Sequence, residues 1–305
     1  MEEQMLKNGL FKRLGRVIGG GALLSFFAGP ASAQNITVKG SDTMVLVAQK
    51  WAEVYQNQHK GVAIQVTGGG SGTGIAALIN GTCNIANSSR DIKGSERKLA
   101  LSNGIDVKEF KVALDGLCVV VHKDNPVSEL SMEQVMNIYI GAINNWKDVG
   151  GTSGPIIRYS RENNSGTYVF FKEHVLKNKD FAADCQTMPG TATVADAVGH
   201  DAKAIGFGGV AYFLTRSDCK VLKIKKDAAS PAVSPLASDG KSIHYAVIYS
   251  NEYPISRYLY CYTPGAPKGE VKAYLDWILG PEGQEVARED GYIPLPTKKE
   301  EVGKK

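Results

Sequence analysis

The apolar positions of the chain come in short runs, separated by clusters of glycine and hydroxyl residues. NITVKGSD reads as a short strand running into a Gly-Ser-Asp-Thr turn, after which Met44, Val47, Ala48, Trp51 and Tyr55 recur at helical spacing. VAIQVTGGG is a second strand ending in glycines. SGTGIAALINGT is a short helix starting at Ser71 or Thr73, and CNIANSSR is a third strand that ends in another hydroxyl cluster. Strand, small-residue turn, helix, repeated, predicts an α/β fold on a mainly parallel sheet.

The pattern changes in FKVALDGLCVVVHKD, a long apolar run broken by Asp115 and Gly116. Such a break suits a strand pair that crosses between domains. SMEQVMNIYIGAINNWKDVG predicts a helix closed by a glycine turn, then a short helical turn around Trp146. PIIRYSR is a strand, GTYVFFKEHVL a helix, and TVADAVGHDAKAIGFGGV a helix followed by a glycine-rich strand. SPLASDGKSIHYAVIYS is the candidate return crossing. The final segment, GEVKAYLDWILGPEGQEVAREDGYIPLP, is helical with a break at Gly280-Pro281 and a proline-rich stop. These runs predict a discontinuous first domain, residues 34–117 with 240–305, and a second domain, residues 118–239, joined by two connections.

Length agrees with that division. A chain of 305 residues, 43% hydrophobic, carries enough apolar surface for two cores. With 35 basic and 31 acidic residues, and the basic ones scattered, nothing points to nucleic acid. The N-terminus stands apart. Lys7, Lys12, Arg13 and Arg16 precede the uncharged VIGGGALLSFFAG, and PASAQN supplies small residues at Ala31-Ser32-Ala33. This order predicts a secretory signal peptide, residues 1–33, cleaved after Ala33. The acids before Met5 leave either Met1 or Met5 as the translation start. No cysteine sits at the cleavage point, so a lipid anchor is not expected.

Export permits disulfides, yet the five cysteines are an odd number and form no CxxC. Cys118 and Cys261 lie in apolar strand-like runs and read as buried small hydrophobes. Cys185 and Cys219 are a candidate pair. The five histidines are dispersed without ligand spacing, so neither a metal site nor a cofactor is expected.

Candidate chemistry sits in the small-residue turns. Gly40-Ser41-Asp42-Thr43, Gly70-Ser71-Gly72-Thr73, Asn87-Ser88-Ser89-Arg90, and Arg161 with Ser165-Gly166-Thr167 share one composition. Three of them directly precede a predicted helix. The first helical turn leaves backbone N–H groups unpaired at the positive end of the helix dipole. Small residues admit a ligand to those groups, hydroxyls add donors, and arginine adds a planar charged fork. Any single such turn is also an ordinary helix cap. Four of them, two beside an arginine, describe an oxyanion cradle.

Enzyme readings fit less well. GGGSGTG lacks the Gly-Lys-Ser/Thr ending of a nucleotide-hydrolysing phosphate loop. No GxSxG elbow accompanies the serines, and no histidine lies near them. Asp42, Asp91 and Asp115 have no metal-binding register. The expectation is binding without catalysis, with a secreted phosphotransfer or phosphohydrolase protein as the alternative.

Taken in order, ITVKGSDTM, VTGGGSGTGIAALINGTCNIANSSR, IGAINNWKDVG, SRENNSGTYVFF, AIGFGG and GYIPLP resemble the periplasmic phosphate-binding proteins of high-affinity phosphate ABC transporters, type II substrate-binding proteins. The resemblance spans nearly all of residues 36–296. It implies a soluble periplasmic monomer that closes two hinged domains on inorganic phosphate and delivers it to an inner-membrane ABC permease. It also implies a ligand set: Thr43 and the Met44 N–H, Ser71, Ser89, Arg161, Ser165, the Gly166 N–H and Thr167. Ser41, Asp42, Gly72, Thr73 and Arg90 are possible additions.

One position departs from the pattern. Where some members place an aspartate that accepts the hydrogen of protonated phosphate, this chain has Ser89, whose hydroxyl donates or accepts. Sulfate, molybdate or tungstate, and arsenate are therefore the alternative ligands. Asp42 has two readings, a helix cap or an acceptor for a protonated ligand oxygen. Arg90 also has two, pointing into the cleft or pairing with Asp91 or Glu96. Trp51, Trp146 and Trp277 read as packing residues. Tyr168, Phe170 and Phe171 bury the helix that starts at Ser165 and hold its first turn in place.

Overall fold

A computed structural model of the protein describes residues 34–297. The expected signal peptide lies outside the described residues. The chain opens with β1 (Gln34–Gly40), a 3-10 turn at Asp42–Met44 and α1 (Val45–Gln58). β2 (Val62–Gly69), α2 (Ser71–Ile79), β3 (Ile85–Ser88) and α3 (Gly94–Ser102) complete a first strand-helix series. The long β4 (Lys108–His122) leads to β5 (Glu129–Ser131), α4 (Met132–Tyr139), β6 (Ile157–Arg161) and α5 (Gly166–His174). Then come β7 (Gln186–Met188), α6 (Thr191–His200), β8 (Ala204–Gly209), β9 (Cys219–Val221), β10 (Lys223–Lys225) and β11 (Ala232–Val233). The chain returns through α7 (Tyr245–Tyr249) and β12 (Ser256–Thr263) and closes with α8 (Gly269–Leu279) and α9 (Pro281–Glu289).

Local sequence explains the main elements. In β1, Ile36 and Val38 are buried while Asn35, Thr37 and Lys39 are not, the period of a half-covered strand. In α1, Val47, Ala48, Trp51, Ala52 and Tyr55 form one buried stripe. Gly280 ends α8 and caps α9, and Pro281 occupies the first turn of α9, where its missing N–H costs nothing.

The main sheet runs β2-β1-β3-β12-β4-β8-β6-β7, with β9 also on β4. The pairs β1–β2, β1–β3, β6–β8 and β6–β7 are parallel, as expected of strands joined by helices. Antiparallel pairs gather around β4 and β12. β4 is shared. Its residues Lys108–Gly116 pair with β12, and Leu117–Val121 pair with β8. The exchange of partners falls at the Asp115-Gly116 break. The fold is thus two α/β lobes of the type II binding-protein architecture, linked by neighbouring strands.

Each lobe has its own apolar core. Ile36, Val38, Trp51, Ile85, Val112, Leu259 and Leu275 belong to the first, and Ile75, Leu78 and Tyr262 to a satellite of it under α2 and α3. Val119, Val121, Ile138, Phe171, Ile205 and Phe207 belong to the second. The segment expected to make the return crossing, 234–250, instead contains a loop and α7, and its Ile243, Val247 and Ile248 pack with the second core. β12 is the strand that runs back. The expected packing roles of Trp51 and Trp146 hold. Their indole N–H groups donate to the Gly283 carbonyl at 2.7 Å and the Lys203 carbonyl at 2.9 Å.

Candidate functional site

The site assembles where strands end and helices begin. β1 and β3 end side by side, and the Ser41 N–H donates to the Asn87 carbonyl at 2.9 Å. Only glycine fits at position 40. Its φ is +139°, and a Cβ there would overlap the Asn87 carbonyl. Gly70, at φ +91°, turns the end of β2 into α2, whose first residue is Ser71. In the other lobe, β6 ends at Arg161. Ser165 then caps α5, its hydroxyl oxygen accepting from the Thr167 N–H at 3.2 Å and the Tyr168 N–H at 3.4 Å. Phe171, stacked on Phe207 at 3.9 Å between centroids, anchors α5 in the second core.

These turns bring four hydroxyls together. Thr43 Oγ1 lies 2.8 Å from Thr167 Oγ1, Ser71 Oγ lies 3.4 Å from Ser89 Oγ, and Ser89 Oγ lies 3.5 Å from Thr167 Oγ1. Three come from the first lobe and one from the second, and all four residues are buried. Gly166 closes the group. A Cβ at that position would overlap Ser71 Oγ and sit 2.7 Å from Ser89 Oγ.

Two ion pairs with buried arginines flank the cluster. Arg161 bonds Asp42 Oδ2 at 2.6 Å across the lobes, and also donates to Thr191 Oγ1 at 2.8 Å and the Pro189 carbonyl at 2.9 Å. Arg257 and Asp115, neighbours in the β4–β12 ladder, pair at 2.7 Å with both side chains almost fully buried. Arg257 also donates to Thr167 Oγ1 at 3.0 Å and to the Ser89 carbonyl at 2.9 Å. Burial pulls both guanidinium groups below their ordinary value, and the paired carboxylates oppose that pull. Each cation is matched by a carboxylate, so an incoming anion would meet hydroxyl and N–H donors rather than excess charge.

The other expected residues take different places. The Met44 N–H donates to the Ser41 carbonyl at 3.0 Å, within its own turn. Asp42 does not stand alone as a proton acceptor: Oδ1 accepts from the Gly69 N–H at 2.7 Å and Oδ2 from Arg161. Ser41 Oγ is buried without a hydrogen-bond partner. Gly72 and Thr73 face Asn164 of the second lobe. The Gly72 N–H donates to its carbonyl at 2.9 Å, and its side-chain amide reaches Thr73 Oγ1 at 3.4 Å and the Gly69 carbonyl at 3.0 Å. An open cavity of about 380 Å³ lined by Arg161, Glu162, Asn163, Asn164, Tyr168 and Thr187 adjoins this rim. Of the two readings of Arg90, the pairing holds and the cleft reading does not. Its guanidinium grips Glu96 at 2.9 and 2.7 Å, turned toward α3.

Sequence reasoning missed Arg257, Asn164, Tyr212 and Tyr292. The tyrosine hydroxyls donate to the Asp42 and Thr43 carbonyls, each at 2.6 Å, and so fix the first turn from behind. A signal for Arg257 was present: an arginine inside the apolar strand SRYLYCYT needs a buried partner.

The expected Cys185–Cys219 pairing is not made. Both are free thiols, and Cys219 Sγ bonds the Ala195 carbonyl at 3.4 Å instead. Burial pushes the Cys185 thiol up to about 12 and that of Cys219 up to about 11, so neither is a ready nucleophile. Among the described residues, no group of three His, Cys, Asp or Glu side chains could hold a metal, and no helix is long and apolar enough to cross a membrane.

The PBP superfamily domain model matches residues 27–282. The chain is 34% identical over 281 residues to the phosphate-binding protein PstS of Pseudomonas aeruginosa, covering 87% of this chain and 84% of that one. Its fold is similar to that of a Clostridium perfringens protein crystallised with bound phosphate, with TM-score 0.74, 28% identity and coverage of 86% and 100%. It is also similar to an ABC-type phosphate transport receptor from Vibrio cholerae, with TM-score 0.66, 28% identity and coverage of 86% and 100%.

Proposed function

The chain belongs to the phosphate-binding proteins of the PBP superfamily, a family of binding proteins rather than enzymes, and from that premise we propose that it is an exported receptor for inorganic phosphate. It captures the anion between its lobes and hands it to an ABC permease at the inner membrane. The periplasm is its place of work, reached by way of the N-terminal signal. The observation that carries this reading is the convergence of Thr43, Ser71, Ser89 and Thr167, from separate turns of both lobes, on one buried point.

The chemistry follows from those donors. Taking a phosphate out of water is unfavourable unless its oxygens are bonded again. Hydroxyls of Thr43, Ser71, Ser89, Ser165 and Thr167 and the Gly166 N–H at the start of α5 supply that replacement. In the proposed complex, phosphate oxygens replace the direct hydroxyl–hydroxyl contacts. Arg161 adds a charged donor from the second lobe. Kinship with proteins named for phosphate puts that anion first. Sulfate, arsenate and molybdate or tungstate are the alternatives that Ser89 leaves open.

The lobes that close are proposed as residues 34–117 with the C-terminal segment against residues 118–239. The packing of Ile243–Ile255 with the second core supports moving the return boundary from 240 to near Ser256. Calorimetry on purified, phosphate-stripped protein tests the function. One site of micromolar affinity or tighter is expected, and competition with sulfate reads what Ser89 does. Absence of any heat or fluorescence response to phosphate would overturn it.

A further inference from the structure

Arg257 stands in the strand that links the lobes and touches both of them. One guanidinium nitrogen donates to the Ser89 carbonyl of the first lobe and another to the Thr167 hydroxyl of the second. Asp115 holds the same fork, accepting from Nε at 3.1 Å and from Nη2 at 2.7 Å. We infer that Arg257 is a specificity-determining positioning residue, which turns the Thr167 hydroxyl into a fixed donor and so sets the anion form the site accepts.

The argument rests on where hydroxyl hydrogens go. A hydroxyl has one hydrogen to give and two lone pairs to accept with. Arg257 occupies one lone pair of Thr167, and its charge turns the hydroxyl hydrogen away from the guanidinium and makes the remaining lone pair a poor acceptor. Ser71 and Ser165 are committed in the same sense. Ser71 Oγ accepts from the Ser89 N–H at 3.0 Å, and Ser165 Oγ accepts from two N–H groups of α5. Three hydroxyls thus present hydrogens to the ligand. Ser89 Oγ has no internal N–H donor among its hydrogen bonds and is the adaptable one. A site so polarised favours oxygens without hydrogens and accepts sulfate more readily than a site with a free acceptor does.

This inference rests on the proposed anion-binding function, and its test separates the two. Arg257→Met combined with Asp115→Asn removes the buried pair together, leaving net charge unchanged and no unpaired ion. Calorimetry with inorganic phosphate and with sulfate then reads the ratio of their affinities. Freed from Arg257, Thr167 becomes a better acceptor for a ligand hydrogen. The ratio is expected to shift at least threefold toward phosphate, and to stay fixed when the same pair is exchanged in a Thr167→Val background. Arg257→Lys, which keeps the ion pair with Asp115 but not the reach to Thr167, is expected to shift the ratio in the same direction and serves if the double variant fails to fold. Parallel loss of both anions, or an equal shift without the Thr167 hydroxyl, overturns the inference alone. A native chain that binds neither anion overturns the functional reading and this inference with it.

Discussion

Replacing Gly166 with alanine is the sharpest probe of how the lobes meet. The glycine starts α5 with ordinary helical geometry, so alanine introduces no backbone strain and, within α5, slightly favours the helix. The obstacle lies across the cleft. The new methyl would overlap Ser71 Oγ, and would sit 2.7 Å from Ser89 Oγ and 2.9 Å from Ser71 Cβ. Restoring normal contact requires the lobes to stand roughly 1 Å further apart at this point. Hydrogen bonds that bridge the lobes through an anion weaken steeply on that scale. Loss of two or three of them at about 1 kcal/mol each predicts affinity reduced by roughly 30- to 150-fold. Each lobe keeps its own core, so the melting temperature without ligand should hardly change. Titration calorimetry and a thermal melt on the same preparation read the two quantities. Native affinity for phosphate in the alanine variant would refute the placement of Gly166 against the serines. Marked destabilisation without ligand would refute the claim that the clash lies between lobes rather than within one.

Other substitutions test separate parts of the site. Arg161→Ala removes the bridge to Asp42 and leaves that carboxylate unpaired. Titration should show at least tenfold weaker phosphate binding. Ser89→Asp supplies a fixed acceptor, and competition titration should show phosphate preferred over sulfate by at least tenfold more than in the native chain. Burial pushes the Glu96 carboxyl up, but its bonds from Arg90 and the Lys93 N–H outweigh that and hold it below its ordinary value. Its stabilising effect is therefore full at neutral pH and lost as pH falls through that lowered value. Glu96→Gln should cost about 1–2 kcal/mol in neutral urea melts, with the difference closing under acid conditions.

What was legible in the sequence follows physical range. The helix-start turns could be read because their main requirements are local: Gly40 and Gly70 answer to positive φ, and Ser71 and Ser165 to the first helical turn. The strand break at Asp115-Gly116 was readable for the same reason, and the partner exchange of β4 occurs there. Arg257 was not. Its partner Asp115 lies 142 positions away, and only the β4–β12 register brings them together. Asn164 was hidden likewise, since its carbonyl and amide meet Gly72 and Gly69 only across the cleft. The return crossing was misplaced because 234–250 and β12 are both rich in tyrosine and aliphatic residues, and periodicity does not tell a short helix from a buried strand over such lengths.

The placement of β12 between β3 and β4 also dictates an order of assembly. Asn87 of β3 and Cys261 of β12 are 174 positions apart, yet they face each other in the sheet. As the chain emerges N-terminus first, β1, β2 and β3 arrive early with one edge open, while the residues between β4 and β12 can collapse on their own. The first lobe waits longest, its seam closed only by a strand near the end of synthesis. An exposed edge of that kind invites pairing with other chains.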